Sequence, residues 1–175
     1  MNKQKSDEMN IWLNKALYLK ISVAEQILNV IEGGKEVKSY QISTGLNGCS
    51  EQSGSGGTPR GKHYVRAMIG AGADKNAVFV GRRETGEIYT STLAEQFPKR
   101  DWVLGRIMWL SGLEQGKNRL GNVDTMRRYI YIHGTPEVEL LGKAVSHGCI
   151  RMSPDDVVEL FSMLQVGVRV DICEN

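Results

Sequence analysis

Residues 133 to 149 gather two of the chain's three histidines and one of its three cysteines: His133, His147 and Cys149. A thiol is a poor nucleophile at neutral pH because its ordinary pKa is about 8.5. A neighbouring imidazole remedies this by taking the proton or by stabilising the thiolate as a cation. Cys149 with a histidine therefore has the makings of a nucleophile and its base, aimed at an amide carbonyl. Gly148, directly before the cysteine, permits a tight turn in which consecutive N–H groups point into one hollow. Such amides, from His147, Gly148 and Cys149, would bind the oxyanion formed when sulfur attacks.

The same residue types also bind zinc, and a cysteine also packs as a small buried hydrophobe. Zinc takes three or four ligands, usually in closely paired spacing. Here one Cys and two His are close, with a single residue between His147 and Cys149. That spacing favours the nucleophile over a metal centre, and the reading includes neither metal nor cofactor. A β-domain that grips its ligand without chemistry is the rival from another class, but binding alone needs no thiol beside an imidazole.

The pattern HGT…G-x-x-x-SHGC-I-R, running from His133 through Gly142 and Ser146 to Arg151, resembles the catalytic signature of the YkuD-type L,D-transpeptidases, cysteine enzymes of peptidoglycan. TPRG at residues 58 to 61 is similar to that family's Thr-Pro-x-Gly stretch, and the resemblance covers roughly residues 18 to 172. It implies Cys149 as nucleophile, His133 as the proton-transfer histidine, His147 flanking the thiol, and backbone amides around Gly148 and Cys149 as the oxyanion hole. The implied substrates are peptidoglycan stem peptides or muropeptides, cut between the third, L-centred residue and the terminal D-alanine. Carbapenem-type β-lactams are implied as acylating inhibitors. Gly134, Ser146, Arg151, Tyr131 and Arg82 are candidate substrate contacts. For Arg151 the alternative is a strut paired with Asp155 or Asp156, and for Arg82 and Arg83 a solvated turn.

These side chains need rigid elements to deliver them. Tyr129, Ile130, Tyr131 and Ile132 are aromatic or β-branched, so a strand over residues 127 to 132 should end at His133. After the cysteine, Ser153 as N-cap, Pro154 at the first helical position and Asp156 behind them announce an amphipathic helix over 155 to 164. Strands are expected over 18 to 23, 26 to 31 and 37 to 43, the last two joined at Gly33-Gly34. Further strands are expected over 63 to 69, 76 to 80, 106 to 110 and 166 to 172. Residues 45 to 57 read as a glycine-rich loop bordering the cleft or simply flexible at the surface, 91 to 105 as an irregular or partly helical insertion, and 112 to 125 as a polar loop. His63 belongs to strand or rim, and Trp102 and Trp109 to the core. Residues 1 to 17 form an extension with a short amphipathic helix over 8 to 17, and 18 to 175 the catalytic domain. The fold expected is mainly β, a mixed sandwich or partly open barrel with short helices.

Composition bounds the rest. A chain of 175 residues with 41% hydrophobic and 24% charged residues suits one globular domain. A net charge of +2, without a basic run interleaved with aromatics, offers nothing to nucleic acid. No stretch has the length and apolarity of a signal peptide or a membrane span, and three cysteines cannot all pair. The expectation is a cytoplasmic enzyme that trims recycled stem peptides as an L,D-carboxypeptidase, with a periplasmic wall-crosslinking or D-amino-acid-exchanging transpeptidase as the alternative if an export signal has been trimmed away.

Overall fold

The computed structural model describes residues 17–175. The helix expected over residues 8 to 17 lies almost wholly outside that range. Ten strands make one open, mainly antiparallel sheet: β1 (Tyr18–Ser22), β2 (Ile27–Glu32), β3 (Lys35–Gln41), β4 (Gly61–Ile69), β5 (Ala77–Val80), β6 (Arg83–Ile88), β7 (Val103–Gly112), β8 (Tyr131–Gly134), β9 (Ile150–Met152) and β10 (Arg169–Cys173). The order is β3-β2-β1-β10-β4-β7-β5-β6, and β8 branches from β7 to carry β9 on its far side. Two short helices, α1 (Ser91–Gln96) and α2 (Pro154–Met163), complete it.

Alternation builds the core. Leu19 and Ile21 of β1, Leu28 and Val30 of β2, and Val170 and Ile172 of β10 point the same way and are buried. Ile132, Ile150 and Met152 join them from β8 and β9, with Val157 and Leu160 of α2 closing the cluster. Each such side chain contributes roughly 2 kcal/mol by leaving water. The helix start follows the sequence: Ser153 Oγ accepts from the Asp156 amide at 3.1 Å, and Pro154 opens the first turn. α2 packs on β7 and β8, so tightly that a Cβ on Gly134 would stand 2.6 Å from the Leu104 carbonyl oxygen and 3.1 Å from Val157 Cγ1. Gly134 is thus accounted for by packing.

Four expectations change. The strand expected over 127 to 132 begins only at Tyr131. Residues 124 to 130 instead form a turn, in which the Asp124 carboxylate accepts from the Leu120 and Arg127 amides and Tyr129 takes a left-handed φ of 56°. The strand itself runs on through His133 to Gly134. Of Arg82 and Arg83, Arg82 does sit in a turn, but Arg83 opens a strand to Ile88 paired with β5, which offers an open edge. Within 91 to 105, Thr90 caps the short α1, and Val103 already belongs to β7. The glycine-rich stretch 45 to 57 is not a free loop. Its ends are bridged, Gly45 to Ser146 and Cys49 to Thr58, and Arg128 donates to the Ser50 and Gly57 carbonyls at 2.8 and 2.6 Å.

His63 is fully buried in β4, between the Gly61 carbonyl and Thr125 Oγ1, each 3.0 Å from a ring nitrogen. Burial pushes its pKa from 6.5 down to about 4. As pH falls below 6.5 the unfolded imidazole gains a proton that the native one refuses until about 4. Stability is therefore complete above the unfolded pKa and is lost on acidification, by up to about 3 kcal/mol for a shift of this size. The midpoint of thermal unfolding should drop steeply between pH 6.5 and pH 4.5, with the buried His133 contributing over the same window and His63→Gln removing the His63 share of that slope. An equally steep profile in the variant would remove His63 from the account.

Candidate active site

The site grows from the β8–β9 pair. The two strands run parallel, with Ile132 opposite Ile150 and His133 opposite Arg151. Alternation sends Ile132 and Ile150 into the core and leaves Tyr131, His133, Cys149 and Arg151 on the opposite face. The twelve residues between His133 and Ser146 thus return the chain to the strand it left, and the register brings cysteine and histidine to one surface.

A hydrogen-bonded frame holds the turn before the cysteine. Ser146, buried, donates through Oγ to the Cys149 carbonyl at 2.6 Å and accepts from the Gly148 amide at 3.1 Å. Thr58 Oγ1 donates to the Gly148 carbonyl at 2.9 Å and accepts from the Gly45 amide at 2.9 Å. Gly148 has a φ of 120°, and a Cβ there would lie 2.9 Å from the Gly57 carbonyl oxygen. Only glycine fits. The TPRG corner therefore enters the site through Thr58, as a support of the turn.

This frame corrects the expected oxyanion hole. The Gly148 amide is occupied by Ser146 Oγ. Among the described residues, the amides of His147 and Cys149 donate to no protein group. Ser146 likewise spends its hydroxyl proton on the Cys149 carbonyl, so it supports the turn that carries the thiol.

Cys149 is half-buried. Its Sγ accepts from the Tyr131 amide and donates to the Tyr129 carbonyl, both at 3.4 Å. Burial pushes the thiol up to about 11, against the opposing pull of the Tyr131 amide. It rests protonated. His133 is 2% exposed, and its Nδ1 lies 2.8 Å from the Gly134 carbonyl oxygen. A carbonyl only accepts, so Nδ1 carries the proton and Nε2 keeps its lone pair. Burial holds the imidazole pKa well below its ordinary value, hence neutral at pH 7. The pair is thus a thiol and a free base, not a resting ion pair.

Arg151 proves to be a strut with partners other than those expected. Its buried guanidinium donates to Asp101 at 2.7 Å and Glu137 at 2.9 Å, not to Asp155 or Asp156. It ties the 98–102 segment and the loop after β8 to the floor beneath His133. Asp155 pairs instead with Lys75 at 2.7 Å. The His147 side chain is 85% exposed, with Nδ1 3.5 Å from Asp101, and no hydrogen bond links it to the thiol among the described residues. Asp101, Glu137, Arg151 and His147, with Lys99 and Leu140, line a cleft of about 240 Å³. Tyr131 is half-buried, and its hydroxyl accepts from Arg82 at 2.8 Å. Trp102 is core as expected, whereas Trp109 stands half-buried beside Tyr129 and Tyr131.

Sequence reasoning missed Thr58 as a support, and it missed Asp101, Glu137 and Arg128 altogether. Nothing in a linear reading separates Arg128 from its neighbour Arg127. The pairing of Arg151 with Asp101 spans 50 positions.

The L,D-transpeptidase catalytic domain (YkuD) family model matches residues 16–172. YqjB of Bacillus subtilis (strain 168), whose name carries an L,D-transpeptidase assignment, is 54% identical over 44 residues, 25% of each chain. YkuD of the same organism is 50% identical over 46 residues, 26% of this chain and 28% of that one. Among solved structures, L,D-transpeptidase 3 from Mycobacterium tuberculosis superposes with a TM-score of 0.55 at 16% identity, over 91% of this chain and 61% of that one. LdtMt1, solved in complex with imipenem, superposes at 0.54 with 20% identity, over 90% and 59%. The matches span about a quarter of those curated relatives and about three fifths of those solved chains. At such identities the superpositions show a shared fold, and the family model reaches across nearly all of it. The chain belongs to the L,D-transpeptidase catalytic domain family.

Proposed function

We propose that this domain acts on peptidoglycan stem tetrapeptides through a thioester at Cys149, with water as the usual acceptor, making it an L,D-carboxypeptidase. The observation that carries the reading is the placement of a protonated thiol and a neutral, acceptor-ready imidazole on one face of β8–β9. The thiol leaves the Tyr129 carbonyl and gives its proton to His133 Nε2 as sulfur attacks the carbonyl of the third stem residue. The free amides of Cys149 and His147 receive the oxyanion. His133 passes the proton to the departing nitrogen, and D-alanine leaves. Water then yields a proton to His133 Nε2 and attacks the thioester, and the imidazolium returns that proton to sulfur as tripeptide leaves.

Water is favoured over a second stem peptide on the ground of compartment, since stem peptides away from the wall are trimmed and not crosslinked. The compartment we favour is the cytoplasm: the three cysteines are all free, which suits a reducing environment. No helix among the described residues is long and apolar enough to cross a membrane.

The test is pure protein incubated with a defined tetrapeptide, with and without an added D-amino acid or second stem, read by mass spectrometry. Tripeptide plus free D-alanine should dominate in every arm. Abundant crosslinked dimers, or quantitative exchange of the terminal residue, would make it a transpeptidase. Imipenem should add its mass to the protein once, at Cys149.

A further inference from the structure

Next to the thiol lies a shelf of aromatic rings that carries an arginine. Trp109 stacks against Tyr129 with ring centroids 6.1 Å apart and meets Tyr131 edge-on at the same separation. The Arg82 guanidinium lies 4.5 Å from the Trp109 ring and 5.1 Å from that of Tyr129, and its Nη1 donates to the Tyr131 hydroxyl at 2.8 Å. Arg66 approaches the Trp109 ring at 5.9 Å. Among the described residues neither Arg82 nor Arg66 has a carboxylate partner, whereas Arg60, Arg100, Arg151 and Arg169 do. Arg82 also holds a left-handed φ of 67°, a conformation costly for any residue with a Cβ. Ring contacts and one hydrogen bond keep it there, with the remaining N–H groups of the fork uncommitted.

The shelf is joined to the reacting sulfur. Tyr131 donates its amide to Cys149 Sγ, and Tyr129 offers Sγ its carbonyl. Arg82 meets the opposite, hydroxyl end of Tyr131, so its guanidinium stands about one tyrosine side chain away from the thiol. A carboxylate one carbon beyond the scissile nitrogen falls short of that span, whereas one at the end of a long side chain on the residue whose carbonyl is attacked matches it in length, with methylenes that suit the rings.

The geometry points to Arg82, seated on Trp109, Tyr129 and Tyr131, as the anchor for a side-chain carboxylate on the third stem residue. The inference rests on the stem-peptide reading above and refines it. Diaminopimelate bears such a carboxylate at the far end of its side chain. Lysine at the same place ends in an ammonium alone, which finds no acceptor beside the guanidinium.

The experiment uses two tetrapeptides identical except for diaminopimelate or lysine at the third position, with wild-type protein and Arg82→Gln. Wild type should release D-alanine from the diaminopimelate peptide with a kcat/KM about tenfold higher or more, the scale of one charge-assisted hydrogen bond. Arg82→Gln should bring the ratio to within about twofold, by a rise in KM on the diaminopimelate peptide with little change on the lysine one. Alkylation of Cys149 by neutral iodoacetamide reports whether the thiol is disturbed. Equal rates in wild type, or a preference that survives Arg82→Gln, overturns the anchor. Binding of both peptides to Cys149→Ala, followed by calorimetry, separates the two readings. Preferential binding of the diaminopimelate peptide without cleavage by wild type supports the shelf and sinks the hydrolase; cleavage without preference does the reverse.

Discussion

Cys149→Ala should eliminate release of D-alanine from a stem tetrapeptide, a loss on the order of 10⁴-fold or more, because no other group on that face can form the acyl-enzyme. The fold should survive. The side chain is half-buried and makes two weak sulfur contacts at 3.4 Å, so its truncation should cost about 1 kcal/mol or less. The frame around the turn uses Ser146 Oγ, Thr58 Oγ1 and the backbone of residues 148 and 149, all unaltered by the change. Three measurements together check this: D-alanine release, the thermal midpoint, and intact mass after imipenem. Cys49→Ala and Cys173→Ala should both keep the imipenem adduct, and Cys149→Ala should lose it. Cleavage near the wild-type rate by Cys149→Ala, or an adduct that moves with Cys49 or Cys173, would remove Cys149 from its role.

His133→Ala should cost 10²- to 10⁴-fold, the usual worth of a positioned general base, whereas His147→Ala should cost less than about tenfold. The difference is environmental. His133 is buried with its tautomer set by the Gly134 carbonyl, whereas His147 is solvent-exposed and leans on an exposed Asp101 at 3.5 Å. The part proposed for His147 in the oxyanion site belongs to its backbone amide, which alanine keeps. The pH profile adds a second readout. A base whose pKa burial has lowered stays unprotonated as pH falls through 6.5, so the acidic limb of kcat/KM should lie well below that value. A thiol pushed up to about 11 gives no ionisation of its own between pH 6 and 9, so the profile there should be flat. His147→Ala should leave both features in place. An acidic limb at 6.5 would remove the buried His133 as the base, and a larger loss at His147 than at His133 would exchange the two roles. Circular dichroism at each pH separates the limb from acid unfolding.

Much of this protein could be read from local sequence because its determinants are local. Gly33-Gly34 turns β2 into β3, since two consecutive residues with positive φ are what a tight hairpin demands. Ser153, Pro154 and Asp156 start α2 for reasons contained within four residues. Alternation in β1 and β2 specified the buried face, and the strand expected over 127 to 132 failed where residues 129 and 130 serve a turn. There the Asp124 carboxylate, three positions back, takes the Arg127 amide, and the Asp124 carbonyl takes that of Arg128, amides that a strand would have paired.

The sequence by itself determined which groups are candidates for the chemistry: a thiol at 149, an imidazole at 133, and a glycine between them that only a tight turn requires. Tertiary structure alone decided the state in which they wait. Burial keeps the thiol protonated and the imidazole neutral, and burial belongs to the packed sheet, not to any window of residues. Folding also turned the Gly148 amide toward Ser146 Oγ, which already accepts from it. It paired Arg151 with Asp101 and Glu137, and it set Arg82 over Trp109. Ionic and cation–π partners meet through strand register across separations that no helical or strand period encodes, so their identity waits on the fold.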